Sequence, residues 1–404
     1  MIENAVHNIR VIGMDVVSLA TSATKADYKV YAVDYFGDQD LKRVCHKNLS
    51  IVNQTPGVTC GRLNIKFNPE ALIQLTKRLL KKNAIDATLL STGLDDCPDV
   101  LFELNDMIPI LGNHPHVIER IRDKARFFQE LKRLGIPHPE TAIAENLEEA
   151  RKKTKDIGYP VLVKPSKGFG GVGTRKAQDP EGLKQAFHHA SLIDQKVLIQ
   201  EYISGTSASV SLISSNNETI ALTLNEQLLG VTELGQKEPF GYCGNVVPLA
   251  TTRSVMNRCK NSAEKITSHF GLVGSNGMDF VVSKEGISYV VEVNPRFQAT
   301  LECVERVLGI NMVEAHMKAC LQGVLPIIAK KTAVFCTRLI LFAPQRLVMP
   351  DLSLLEDLRD VPMPEVIIEK GEPVCSIVVE EAKREFSLRK AMTIVKQIRE
   401  SLQR

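Results

Sequence analysis

Residues 276–298, NGMDFVVSKEGISYVVEVNPRFQ, constrain the fold more than any other stretch of this 404-residue chain. Two β-rich runs, Asp279–Ser283 and Ile287–Val293, flank a short turn ending in Gly286, which predicts an antiparallel hairpin. With Glu285-Gly286 as a two-residue turn, residues 284 and 287 pair, then 282 and 289, and Asp279 falls directly opposite Glu292. Directly opposed side chains have Cβ atoms about 4.5–5.5 Å apart, where two like charges repel. Asn294, two residues beyond Glu292, shares its strand face. The same register puts Val281 and Val290 on that face, so it is half apolar and not simply a solvated acidic surface. Two carboxylates and an amide oxygen then converge on one point, a donor set for a hard cation such as Mg²⁺. Arg296 follows within two residues and can offer a fixed positive charge to a transferring phosphoryl group.

A second signal is VLVKPSKGFGGVGTR at 161–175. Gly168 to Gly173 satisfies G-x-G-x-x-G, but a dinucleotide fingerprint must open a helix. Here a strand-like TRKAQ follows, and Asp179-Pro180 breaks the chain before any helix starts. A P-loop is excluded because no GK[ST] is present. The loop reads as a glycine-rich flap between two strands, whose backbone N–H groups can fold over phosphate oxygens. Glycine suits this because no side chain holds ligand and backbone apart. A merely flexible hairpin is the alternative, and Lys164 argues against it. Ending an apolar strand three residues before Lys167, it is a natural point charge for a phosphate.

Around these motifs, strand-like runs at 9–14, Lys29–Val33 and Ala87–Ser91 alternate with helical ones, including the basic helix Pro69–Lys82. This predicts a parallel α/β unit over residues 1–112. It is Rossmann-like, but the turn after its first strand, GMDVVSLA, lacks the glycines that a pyrophosphate requires. One long helix is expected from Val117 to Leu134, stopped by Gly135 and Pro137. Domain boundaries fall near 113 and 330. The tail, 331–404, carries two β-rich runs and an amphipathic helix, Leu388–Leu402. His114-Pro115-His116 reads as a linker and His188-His189 as solvated, with Cys243 and Cys303 as core thiols. No serine, cysteine or histidine constellation for covalent catalysis is evident.

Composition narrows the class without naming the chemistry. Apolar residues at 44% and charged residues at 24% describe an ordinary globular chain. A net charge of +3 with both signs interspersed leaves no footprint for nucleic acid. No apolar run reaches the roughly 18 residues of a membrane span. The N-terminal residues lack a signal peptide's apolar core. Nine cysteines without any C-x-x-C fit reduced thiols, and a cytoplasmic location is expected.

Taken together, the motifs over residues 110–325 resemble the ATP-grasp superfamily of ligases, which includes biotin carboxylase and carbamoyl phosphate synthetase. Arg122-Asp123-Lys124 opens a helix whose Lys124, in the family, reaches the nucleotide phosphates. Val163-Lys164-Pro165 is similar to the strand carrying the second ATP lysine. Ser166 to Thr174, with Gly170, Gly171 and Gly173, resembles the phosphate flap, and Gln200-Glu201-Tyr202-Ile203 resembles the adenine hinge. Thr206-Ser207 stand where many relatives hold the ribose. Asp279, Glu292 and Asn294 match the magnesium ligands, and Arg296 completes the E-x-N-P-R signature as the catalytic charge.

The implied fold is α/β and α+β: a Rossmann-like pre-ATP-grasp domain at 1–112, then an ATP-grasp domain at 113–330. The latter divides into subdomains 113–200 and 201–330, and a small β-rich domain follows at 331–404. The implied cofactors are ATP and Mg²⁺ or Mn²⁺. The implied activity is a carboxylate–amine ligase: a carboxylate takes the γ-phosphate of ATP to give an acylphosphate, and an amine or related nucleophile displaces phosphate. The partners would be small-molecule carboxylate and amine substrates, with no nucleic acid or membrane, and a homodimer is possible. A carboxylase acting through carboxyphosphate, a kinase and an ATP-binding regulatory module without turnover are the alternatives.

Overall fold

The computed structural model describes residues 6–60, 67–329 and 334–402; the boundary expected at 330 lies outside them. Four strands, β1 (Asn8–Ile12), β2 (Lys29–Asp34), β3 (Lys47–Ser50) and β4 (Ala87–Leu90), form a parallel sheet in the order β3-β2-β1-β4. Its strands β1, β2 and β4 are largely buried runs because helices cover the faces of a parallel sheet, whereas β3 at the edge, KNLS, is half-buried. The helix Val17–Lys25 leaves β1 and buries Val17, Leu19 and Ala20 in one core with Leu301, Val304, Met312 and Val313. Fully burying a Val or Leu contributes about 1.5–3 kcal/mol, so this seam holds the parallel unit firmly against the rest of the chain.

The single helix expected over Val117–Leu134 is two helices, Pro115–Arg122 and Lys124–Arg133. Asp123 breaks them: its backbone is extended (φ −65°, ψ 98°), and its carboxylate accepts from the Arg126 N–H at 3.1 Å, capping the second helix. Arg122 and Lys124 therefore flank a corner.

A second sheet follows, antiparallel, from β5 (Thr141–Ala144), β6 (Val161–Pro165), β7 (Arg175–Ala177) and β8 (Val197–Glu201) in the order β5-β8-β6-β7. Helices Leu147–Ile157 and Pro180–Ser191 pack on it through Ala150, Leu183 and Phe187. The glycine loop joins paired β6 and β7, as a flap requires.

The third sheet begins with β9 (Gly205–Ser214), β10 (Thr219–Leu229), β11 (Tyr242–Val247), β12 (Gly274–Ser283) and β13 (Ser288–Asn294). From the C-terminal stretch come β14 (Phe335–Phe342), β15 (Leu347–Val348), β16 (Leu358–Arg359), β17 (Ile367–Ile368) and β18 (Pro373–Glu381). The order is β13-β12-β9-β10-β11-β14-β18-β16, with β15 and β17 pairing apart. The tail expected as a small β-rich domain thus adds three strands to the large sheet, since β14 bonds directly to β11.

The hairpin of β12 and β13 places Asp279 opposite Glu292, but by another route than a two-residue turn. Ser283 N–H donates to Ile287 O across a three-residue turn whose Gly286 has φ +79°, and this shifts the register by one. A bulge at Val291 shifts it back between Phe280–Val290 and Asp279–Glu292. In consequence Val290, expected beside the acids, lies in the core with Phe280 and Met278 on the other face. Val281 stays on the acidic face, opposite Ser207.

Candidate functional site

Glu292 is the hub of a charged cleft between the first two sheets and the large sheet. Its Oε1 accepts from Arg122 Nη1 and from Lys124 Nζ, each at 2.5 Å, which is what the broken helix makes possible. Arg122 and Lys124 side chains are 6% and 10% exposed. Burial alone would raise the carboxyl pKa of Glu292, but the charges of Arg122, Lys124 and Lys164 outweigh it and hold it far below the usual range. Directly opposite, Asp279 accepts from Gln227 Nε2 at 3.0 Å and from Asn294 Nδ2 at 3.2 Å. Burial, then repulsion from Glu292, pushes Asp279 up to about 6. Arg296 is committed on both sides, donating Nε to Asp95 at 2.8 Å and Nη2 to Asn294 Oδ1 at 3.2 Å.

Lys164 ends β6 facing this hub. Burial lowers its pKa to about 8, with Glu292 opposing the shift. Its Nζ donates to Gln200 Oε1 at 2.9 Å, and Gln200 Nε2 donates in turn to Thr141. Gln200 is therefore buried and fully engaged, while Glu201, Tyr202 and Ile203 are half-buried at the end of β8. Lys176 Nζ stacks 3.8 Å over the Tyr202 ring. Ser207 lies two residues from Ser209, the β9 partner of Asp279, on the same half-buried face.

The flap lies closed. Ser166 Oγ and Lys167 N–H both donate to Asp194. Gly170 O accepts from Tyr242 N–H at 2.9 Å, docking the loop on β11. Gly171 sits at φ +74°, where a Cβ would lie 1.9 Å from Phe240 O, so only glycine fits. Gly168 N–H donates to Asp96 and Gly173 N–H to Glu238, which also pairs with Arg175. Phe169 packs edge-on against Phe67 of the N-terminal unit.

A family model of the ATP-grasp domain matches residues 121–300. An uncharacterised protein of Methanocaldococcus jannaschii is 26% identical over 382 residues, covering 92% of this chain and 88% of that one. The arginine-specific carbamoyl phosphate synthase large chain of Bacillus subtilis is 30% identical over 206 residues. Those residues are 51% of this chain, which spans only 20% of that much longer one. Among solved structures, the biotin carboxylase domain dimer of Hydrogenobacter thermophilus 2-oxoglutarate carboxylase, with MgADP, ADP and bicarbonate, matches with a TM-score of 0.72 at 17% identity. It covers 96% of this chain and 90% of that one. The ADP complex of N5-carboxyaminoimidazole ribonucleotide synthetase matches with a TM-score of 0.72 at 13% identity, over the whole of both chains. At such identities the likeness is one of fold: a mixed α/β ATP-grasp architecture.

Two residues of the ATP-grasp cleft escaped the sequence reading. Asp95 and Asp96, on the turn after β4, tie the N-terminal unit to the grasp: Asp95 binds Arg296, and Asp96 takes Arg122 in two bonds (2.7 and 2.8 Å) as well as the flap. Their signal was an acidic pair just past the carboxyl end of a parallel strand, where open sheets place ligands. His188 and His189 lie on the helix Pro180–Ser191, and Cys243 and Cys303 are buried, none of them within the hub. Among the described residues no three His, Cys, Asp or Glu side chains gather as a metal site, so any cation here needs Asn294 and ligand oxygens as well. Likewise, among the described residues no helix is long and apolar enough to cross a membrane.

Proposed function

We propose that this cleft binds ATP and that the protein is an ATP-dependent ligase, which activates a carboxylate as an acylphosphate and joins it to an amine or related nucleophile. The observation that carries this is the hub, where Glu292 faces Asp279 and gathers Arg122 and Lys124 beneath a glycine flap. Lys124, Lys164 and the flap from Ser166 through Gly170, Gly171 and Gly173 would hold the phosphates. Gln200, Glu201, Tyr202 and Ile203 would border the adenine, and Ser207 the ribose side. Phosphoryl transfer is chiefly positioning and charge stabilisation, and such a set supplies both.

The donor set suits Mg²⁺ or Mn²⁺. Asp279, Glu292 and the Asn294 amide oxygen are hard ligands, and the repulsion that raises Asp279 is what a cation would relieve. When bound, the metal would neutralise phosphate charge. Arg296, held against Asn294 by Asp95, would stand beside the developing charge. A cytoplasmic enzyme acting on small molecules, and a homodimer like the H. thermophilus domain, complete the reading.

The test is an ADP-release screen over a matrix of carboxylates and amines. ADP should appear only when both are present, and Glu292→Gln and Asp279→Asn should each lower turnover more than about ten-fold. Turnover within a few-fold of wild type would remove the metal assignment. A carboxylase acting through carboxyphosphate is the second reading, favoured by the biotin carboxylase likeness, which extends over 96% of the chain. ADP release that depends on bicarbonate would select it.

A further inference from the structure

The polar face that holds Asp279 continues across the large sheet. Asn225 stands opposite Ser209, the partner of Asp279, and Asn245 stands opposite both Gln227 and Arg338. Asn225 and Asn245 are fully buried, and the Oδ1 atom of each has no hydrogen-bond partner. Their amide nitrogens are engaged, Asn225 with Ser209 and Ser211 at 3.3 and 3.0 Å, and Asn245 with the Tyr242 hydroxyl at 2.6 Å. Buried acceptors without a donor are rare in folded proteins, and a bound donor is one way to satisfy them.

Beyond Asn245 the charge is lopsided. Arg338, 2% exposed, donates to Asp15 at 3.2 Å and to Asp360 at 2.5 Å, with Ser18 and Ser376 as further acceptors. Asp40 accepts the N–H groups of Asp360 and Val361. Two carboxylates, Asp15 and Asp360, thus flank one guanidinium, whereas nearby Glu302 is neutralised by Arg306 and Arg359. Burial, reinforced by Asp360, raises Asp15 to about 7 and Asp40 to about 8.

Resting on the ligase reading above, we propose that Asn225, Asn245, Tyr242 and Asp15 bound the pocket for the nucleophilic amine, held as its ammonium, and that Asp15 accepts its proton. An ammonium carries three donors and no acceptor, which matches two free carbonyl oxygens and a carboxylate. A carboxylate ligand here would meet Asp15 and Asp360 at close range, where like charges repel. Neighbouring strands are about 4.8 Å apart, so the Asp279 and Arg338 backbones stand four spacings, roughly 19 Å, from each other. Gln227 touches Asp279, and Tyr242 lies within electrostatic reach of both Asp279 and Arg338, so the polar face runs without a break from the proposed phosphoryl site to Arg338. In the step itself, one N–H proton passes to Asp15 and the freed lone pair forms the C–N bond to the acyl carbon. The C–O bond to phosphate breaks, phosphate leaves with that electron pair, and the second N–H proton leaves with it.

Isothermal titration of the full chain loaded with MgADP tests this, using methylammonium, ethane-1,2-diamine and acetate as probes. The two amines should bind and acetate should give no heat. Asp15→Asn should weaken amine binding by about ten-fold or more, the worth of one hydrogen bond to a charged group, while MgADP affinity holds within about two-fold. Should Asp15→Asn lose its fold through Arg338, Asn245→Ala is expected to show the same weakening. Acetate binding in place of the amines, or amine affinity unchanged in the folded variants, overturns the proposal. Absence of MgADP binding overturns the nucleotide reading instead, and the pocket's role with it.

Discussion

Lys164 is the group whose charge a bound nucleotide should change most. Burial holds its pKa near 8 in the free protein, against an ordinary 10.5, and neighbouring Glu292 offsets only part of that cost. Its charge is therefore lost as pH rises through about 8. Phosphate oxygens favour the charged form and should return the pKa toward 10.5. At pH 8.5 a group of pKa 8 is roughly one quarter protonated, so nucleotide binding should take up about 0.75 proton; at pH 7 the uptake should be about 0.1. The same arithmetic makes MgADP bind about four-fold more weakly at pH 8.5 than at pH 7. Phosphate groups, with a second ionisation near 6, and Asp279, at about 6, are both ionised at pH 8.5 and add nothing. The assay is calorimetry of MgADP binding in two buffers of different ionisation enthalpy, whose difference in heat counts the protons. Lys164→Met should abolish the uptake and weaken binding at both pH values. An uptake below about 0.2 proton at pH 8.5, or one that survives Lys164→Met, would refute the placement of Lys164 at the phosphates.

Other perturbations test the supporting geometry. Gly171→Ala should unseat the flap, because its Cβ would strike Phe240 O, and raise the KM for ATP by about ten-fold; Gly170→Ala, with open space at φ +63°, should cost only backbone strain of about 1–2 kcal/mol. Equal effects in steady-state kinetics would contradict the docked flap. Asp123→Ala removes the cap that separates Arg122 from Lys124 and should cost about 1 kcal/mol, read as a lower melting temperature, together with weaker nucleotide binding. His316 is held near a pKa of 4 by burial, accepting from Ser275 N–H and facing Leu111 O, and it would protonate near 6.5 when unfolded. Its contribution is complete above pH 6.5 and falls as pH drops toward 4, by about 3 kcal/mol. Urea midpoints of wild type and His316→Gln should therefore converge on acidification, and parallel curves would exclude this.

Where the sequence could be read and where it could not follows one physical rule. Strands and the flap were legible because periodicity and glycine density report local preference directly. The Asp279–Glu292 pairing was also reached, yet through two one-residue errors that cancel: the turn holds three residues, and Val291 bulges. Val290 exposes the difference, since it crossed to the core face. No pattern of alternation can count a bulge that is set from outside the hairpin. Here Arg258 grips Gly286 O at one end while Arg122 and Lys124 fix Glu292 at the other, and the extra residue absorbs the mismatch. The break at Asp123 arises in the same way, because a continuous helix would set Arg122 and Lys124, two residues apart in sequence, about 200° apart around its axis, and only one could meet Glu292. Asp95 and Asp96 were missed because their partners, Arg296, Arg122 and the flap's Gly168, lie 201, 26 and 72 residues away, beyond the reach of any local pattern. Bulge, broken helix and close glycine contact all lie within the cleft that Glu292 organises. Local preference gives way where several charges must be aimed at one oxygen, which is itself an argument that the hub, and not any single motif, is what this fold is built to hold.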